Sequence, residues 1–310
     1  MKVIVLVAML ALAGCGDSPI QHTVNDTSAA KNVGPFSVER VTSGIHFKKG
    51  MDQKISIYGI NVYKHKDAAS WAFSYGATVL ADYLDSDEDG QPDDPAVIAA
   101  LTSVERKEGV AILNQRGDIG SGHYKDSFWG ISRVGGQTSL DSEGHFKRQT
   151  IEEFHHAFYH GLEIAYPSVF GTEPGTEIMV AVEQAYGDCE FCSDCAPDCE
   201  HYDCEGPGDC TFVAGSCGGA SHYAEPGCGP GGCLAAENFY LAWTSLYGLQ
   251  IDYCASLASE WEPCSPEAMM TDPRVEMLYL LVSGQSDSAV EFGYVLPSAA
   301  PDGHYEISAP

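Results

Sequence analysis

The chain has 310 residues, with 16 basic against 44 acidic side chains and a formal net charge of −28. So acidic a surface repels nucleic acid and anionic lipid headgroups, which excludes a nucleic-acid-binding role and favours cations and a soluble, exported life. The residues after Gly34 suffice for one large domain or a domain carrying an insertion.

Met1-Lys2, an apolar run to Leu12 and then Ala13-Gly14-Cys15 read as a bacterial lipoprotein signal. The run is too short to span a bilayer. The lipobox-like ending predicts cleavage before Cys15 and lipidation of Cys15, so the first expected partner is a membrane. A plain secretory signal is the blander alternative. No later apolar run approaches ~18 residues. The polar stretch 16–34 reads as a flexible tether. The expected location is the cell envelope, lipid-anchored, on the periplasmic or outer face of the outer membrane.

Farther on, Ile55 to Tyr63 alternates β-branched and aromatic residues as a strand does. Ala68 to Leu84 has helical spacing, and Asp94-Pro95 opens a second helix through about Val104. Val110 to Asn114 reads as a short buried strand. Thr176–Tyr186, Leu234–Tyr247 and Pro273–Val282 read as further helices.

Between the first two helices, Asp85, Asp87, Asp89 and Asp93 occupy positions 1, 3, 5 and 9 of an EF-hand-like loop. Gly90 stands at the turning position, and the Gln91 carbonyl would be a further ligand. Position 12 is Ala96, so Asp94 becomes the candidate for the missing carboxylate. Alternating hard oxygen donors suit Ca²⁺, which is near millimolar outside cells. The alternative is a solvated acidic turn.

The segment Thr150–Gly161 contains Glu152, Glu153, His155, His156 and His160. On a helix beginning at Thr150 and ending at Gly161, the two glutamates, His156 and His160 share one face. Histidines at i and i+4 can reach one Zn²⁺, with Glu152 or Glu153 orienting a ligand or acting as base. Ala157 stands where a zincin has its catalytic glutamate. Glu237, on a downstream helix, is the expected third ligand, with Glu163, Glu177, Glu183 and His222 behind it. Two bland readings compete. Thr150-x-x-Glu153 fits a capping box, and the histidines could be ordinary half-buried residues. Glu153-x-x-His156 also fits a di-metal motif, whose second copy is missing on another helix.

Of twelve cysteines, nine lie between Cys189 and Cys233. Cys189, Cys192, Cys195 and Cys199 have ferredoxin-like spacing, but Glu200 follows the fourth and no second motif exists. In an exported Gly/Pro/Asp-rich segment a disulfide knot is expected. Cys254 and Cys264 flank one loop and are candidates to bridge each other.

Several features together resemble a group of exported bacterial lipoproteins without an assigned activity. They are the Asp85 loop, Glu152-Glu153-x-x-His156, Tyr166-Pro167 with Phe170-Gly171, Cys228 and Cys233 ahead of Glu237-x-x-Tyr240, Glu260-Trp261 and Pro301-Asp302-Gly303-x-Tyr305. The resemblance covers Ile55 to Tyr305 and implies organisation and candidate residues. The element order is also similar to that of zincins. The expected fold is α+β, a zincin-like, mostly helical domain with a small sheet plus a disulfide-rich insertion. The expected divisions are 1–15 signal, 16–34 tether, 35–187 metal-helix domain, 188–233 insertion, and 234–310 the rest of the same domain. Two functions stay open. One is a surface-anchored, calcium-stabilised, zinc-dependent peptidase-like hydrolase acting on a peptide or protein ligand. The other is a non-catalytic binding or structural lipoprotein.

Overall fold

The computed structural model describes residues 36–41, 51–103, 109–113, 128–133, 140–187, 202–206, 209–212, 218–221, 223, 232–258 and 260–305. Cys15, the tether, His222 and the cysteines from Cys189 to Cys199 lie outside these residues.

The fold is α+β. Strands β1 (Val38–Arg40), β2 (Met51–Ile57), β3 (Ile60–His65), β4 (Gly109–Leu113) and β5 (Phe128–Arg133) form one sheet in that order. The first three are antiparallel neighbours, while β4 and β5 join parallel. Helices α1 (Ser70–Leu84) and α2 (Pro95–Ser103) make the crossover from β3 to β4. The expected single strand from Ile55 to Tyr63 is instead two strands of a hairpin. Tyr58 and Gly59 take positive φ, 50° and 92°, and turn the chain inside what reads as one β-branched run.

Helix α3 (Leu140–Ala165) runs through the molecule, packing on β5, α1 and α2 and then on α4 (Pro167–Phe170) and α6 (Gly232–Leu246). It has 26 residues, so both expected boundaries are corrected. Thr150 is fully buried mid-helix and its hydroxyl donates to the Phe146 carbonyl at 2.8 Å, which removes the capping-box reading of Glu153. Gly161 terminates nothing. A Cβ there would sit 2.7 Å from Val97 Cγ1 and 2.9 Å from Leu101, so the glycine lets α2 and α3 approach closely.

Helices α5 (Glu177–Tyr186), α7 (Cys254–Leu257), α8 (Pro266–Thr271), α9 (Glu276–Val282) and α10 (Asp287–Phe292) complete the helical part. The predicted helix from Pro273 begins as a 3₁₀ turn, Pro273–Val275, capped by the Asp272 carboxylate, before α9. Phe154, Phe170, Phe239, Trp243 and Trp261 fill the core between α3 and α6 and beyond. Cys254 and Cys264 form a disulfide, as their spacing suggested.

The chain departs at Gly187 and is back beside it at Gly218, where the two residues form an antiparallel bridge. Gly219 is required at this return, because a Cβ would lie 2.2 Å from the Tyr186 carbonyl oxygen. Of the residues between, β6 (Tyr202–Gly206) and β7 (Asp209–Phe212) pair as an antiparallel hairpin.

The C-terminal strap from Tyr294 to Tyr305 lies over the α1–α2 corner. Its amides at Val295, Ser298 and Gly303 donate to Asp94 Oδ2 (3.0 Å), Ser86 Oγ (3.1 Å) and Asp82 Oδ2 (3.0 Å).

Candidate metal centre and acidic loop

Small residues on both partners let α3 and α6 meet closely, with Ala157 on one and Ala235, Ala236 and Ala242 on the other all buried. At this contact His156 Nε2 lies 3.0 Å from Glu237 Oε1, and His156 Nδ1 lies 4.0 Å from Glu153 Oε2. Glu237 is buried, and among the described residues His156 is its ion-pair partner. The Glu237 contact is short but poorly aligned with the ring N–H. Burial disfavours the imidazolium, yet the Glu237 carboxylate and then the charges of Glu153 and Glu152 outweigh it and raise the His156 pKa to about 9. Tyr240, one turn after Glu237, stands edge-on to His156, with ring centroids 6.3 Å apart. Burial raises its phenol, helped by the charges of Glu152 and Glu237. Partial burial and the Glu237 charge also raise Glu260 at the rim.

The structure therefore brings Glu152, Glu153, His156, Glu237, Tyr240 and Glu260 into one electrostatic neighbourhood. His160 does not join it, because its Nδ1 lies 3.0 Å from Glu163 Oε2 on its own helix. Among the described residues, His156, His160 and Glu237 do not place three ligand atoms within 4.8 Å of one another.

His155 faces the other way, into the core. It is fully buried, and among the described residues neither ring nitrogen has a hydrogen-bond partner. Tyr83, Phe239, Tyr240 and Trp243 surround it, with ring centroids 5.3–5.7 Å away. Burial, then the neighbouring His156, hold its pKa well below the usual value. Nothing in the sequence pointed to this aromatic cage, whose members are scattered from residue 83 to residue 243.

In the acidic loop, Asp85, Asp87 and Asp89 each offer a carboxylate oxygen, all within 4.8 Å of one another. Asp85 is buried and accepts from the Asp89 amide (3.1 Å), the Gly90 amide (3.0 Å) and the hydroxyls of Tyr58 and Tyr305. Gly90 has the positive φ, 88°, that the turn demands. The Gln91 amide donates to Asp89 Oδ1 at 2.8 Å. Asp93 stands outside the trio, its Oδ2 accepting from Ser86 N (2.8 Å) and Ser86 Oγ (2.6 Å). Asp94 is not the missing loop ligand. Its Oδ1 caps α2 through the amides of Ala96 (3.0 Å) and Val97 (3.2 Å), and its carboxylate also takes the Tyr166 hydroxyl and the Val295 amide.

Comparison with protein-family models, curated proteins and solved structures finds no match for this chain.

Proposed function

We propose that this is an envelope-anchored, calcium-stabilised metalloprotein of zincin-like organisation, with a hydrolase-type centre between α3 and α6. The observation that carries the reading is the buried Glu237 carboxylate 3.0 Å from His156 Nε2, with Glu153 on the other ring nitrogen. One imidazole and several carboxylates, with no Lys or Arg paired to Glu237 among the described residues, fit a single divalent cation. His156 through Nε2 and Glu237 would hold zinc, with Glu153 beside Nδ1 orienting the imidazole. His160 stays with Glu163 and orients the helix face instead of ligating. When bound, such an ion supplies a Lewis acid and lowers the pKa of a coordinated water. Glu152, on the same face of α3 as His156, would hold a proton beside the centre, the task that Ala157 cannot perform. Tyr240 would present its phenol to developing negative charge. Ca²⁺ would be held by Asp85, Asp87 and Asp89, and Cys15 would carry the lipid anchor.

The non-catalytic alternative draws on two observations, the His160–Glu163 pairing and alanine at position 157. Metal analysis of the purified full chain decides between them. Stoichiometric zinc, lost in His156→Ala and in Glu237→Gln, is the expected result. Wild-type protein without stoichiometric metal at this site overturns the proposal and leaves the binding-protein reading.

A further inference from the structure

Arg148, Glu152 and His156 recur at four-residue intervals on α3, each about 6 Å farther along the axis. They form one stripe, with the arginine leading towards the centre. Arg148 is exposed, and among the described residues it makes no ion pair, even with Glu152 one turn away. Its guanidinium lies instead over the Tyr253 ring, 3.8 Å from the centroid.

Tyr253 is a braced platform. Its amide donates to the Gln250 carbonyl at 2.8 Å, and its own carbonyl accepts from Ser256 Oγ at 2.8 Å. Gln250 is buried and donates to Thr244 Oγ1 of α6 at 2.8 Å. The next residue, Cys254, is disulfide-bonded to Cys264. A guanidinium stacked on a fixed ring loses little further freedom on binding, and stacking leaves its in-plane N–H donors clear of the ring. Its charge reaches Tyr240, the same phenol that feels Glu152 and Glu237.

A cation placed only to neutralise the carboxylates would pair with Glu152. One held off them on an aromatic face, at the edge of a cluster of four acids, is placed for an anion that arrives from outside.

We infer that Arg148, held on Tyr253, anchors a carboxylate of the ligand that reaches the His156–Glu237 centre, so that the ligand class is carboxylate-bearing, a peptide C-terminus or a small organic acid. The inference deepens the metal-centre reading by naming its ligand, and a planar two-toothed contact is the geometry by which arginine recognises carboxylates.

The test uses the full chain, wild type and Arg148→Met, with three probes: N-acetyl-alanyl-alanine, its C-terminal amide, and succinate. Binding is followed by NMR, and metal content is measured on the same samples. Methionine keeps apolar contact with Tyr253 and removes the charge, and the site is exposed, so melting should not change.

The free acid should bind wild type about tenfold more tightly than the amide, and Arg148→Met should erase that preference while metal content stays the same. Succinate competing with the peptide acid through Arg148 would assign the subsite to small acids, and succinate failing to bind would assign it to peptide ends. Either result supports a carboxylate anchor. Equal binding of acid and amide to wild type, no binding of any probe, or a preference that survives Arg148→Met overturns it. Wild type that discriminates acid from amide but carries no metal would sink the metal centre and leave the Arg148 anchor standing.

Discussion

At the scale of single residues, two adjacent histidines are pushed in opposite directions. His155 is held neutral by its apolar cage, and His156 is held charged by carboxylates. A depressed folded pKa gives stability that is present above the ordinary histidine value of 6.5 and lost as pH falls below it. A raised one gives stability that is complete below 6.5 and lost as pH rises through about 9. Denaturant titrations in chelator should therefore show His155→Phe flattening the acid limb of the stability profile, since phenylalanine fills the cage without unpartnered nitrogens. Glu237→Gln should flatten the alkaline limb and bring the His156 NMR titration down from about 9. If both limbs persist in both variants, other groups govern them. The sequence made His156 and Glu153 legible as neighbours because i, i+3 spacing defines a helix face, and pointed to Glu237 only by analogy with a third ligand on a downstream helix. It could not show that His160 Nδ1 lies beside Glu163 one turn on, because a face does not specify a rotamer.

At the scale of elements, α3 decides what the sequence could show. The stretch Thr150–Gly161, about three turns, carries an apolar stripe and was readable. The first ten residues of α3 are mostly polar and contain Gly144, so Thr150-x-x-Glu153 imitates a helix start that lies in the interior. Gly161 misleads likewise, since a glycine needed for close packing and one needed for termination look identical in a sequence. The difference is measurable. Gly161→Ala, which would favour an isolated helix, should destabilise the protein by about 1–3 kcal/mol because the added methyl has no room against Val97 and Leu101. Unchanged or raised stability in urea would mean that α2 shifts away at no cost. The β2–β3 hairpin was hidden for a related reason, because Tyr58-Gly59 lies inside a stretch that alternates β-branched and aromatic residues with polar ones. The acidic loop was legible as a unit, since its spacing is local. The use of Asp94 was not, because its partners Tyr166 and Val295 are distant in the chain.

At the scale of the molecule, the acidic corner joins three distant stretches, the β2–β3 turn through Tyr58, the α1–α2 corner, and the strap through Tyr305. Carboxylates of Asp85, Asp87 and Asp89 packed this closely repel one another unless neutralised. Melting temperature should rise with millimolar calcium and fall in chelator, and Asp87→Ala, exposed and confined to the loop, should abolish the response. A melting temperature indifferent to calcium and chelator would refute the calcium reading.

The bridge between Gly187 and Gly218 has a modular consequence. Bridged residues stand about 5 Å apart, a gap that a two-residue hairpin loop closes. The thirty residues between them can then be treated as a cassette, exchangeable without disturbing the scaffold. Replacing 188–217 by Asn-Gly should leave a soluble protein whose melting temperature moves by no more than roughly 2–4 °C. A collapse of folding would mean that the cassette is structural cement. If the shortened chain melts normally, the nine crowded cysteines divide into seven that travel with the cassette and two, Cys228 and Cys233, that remain with the scaffold. Counting alkylatable thiols in that chain would then separate the oxidation state of the core from that of its cargo.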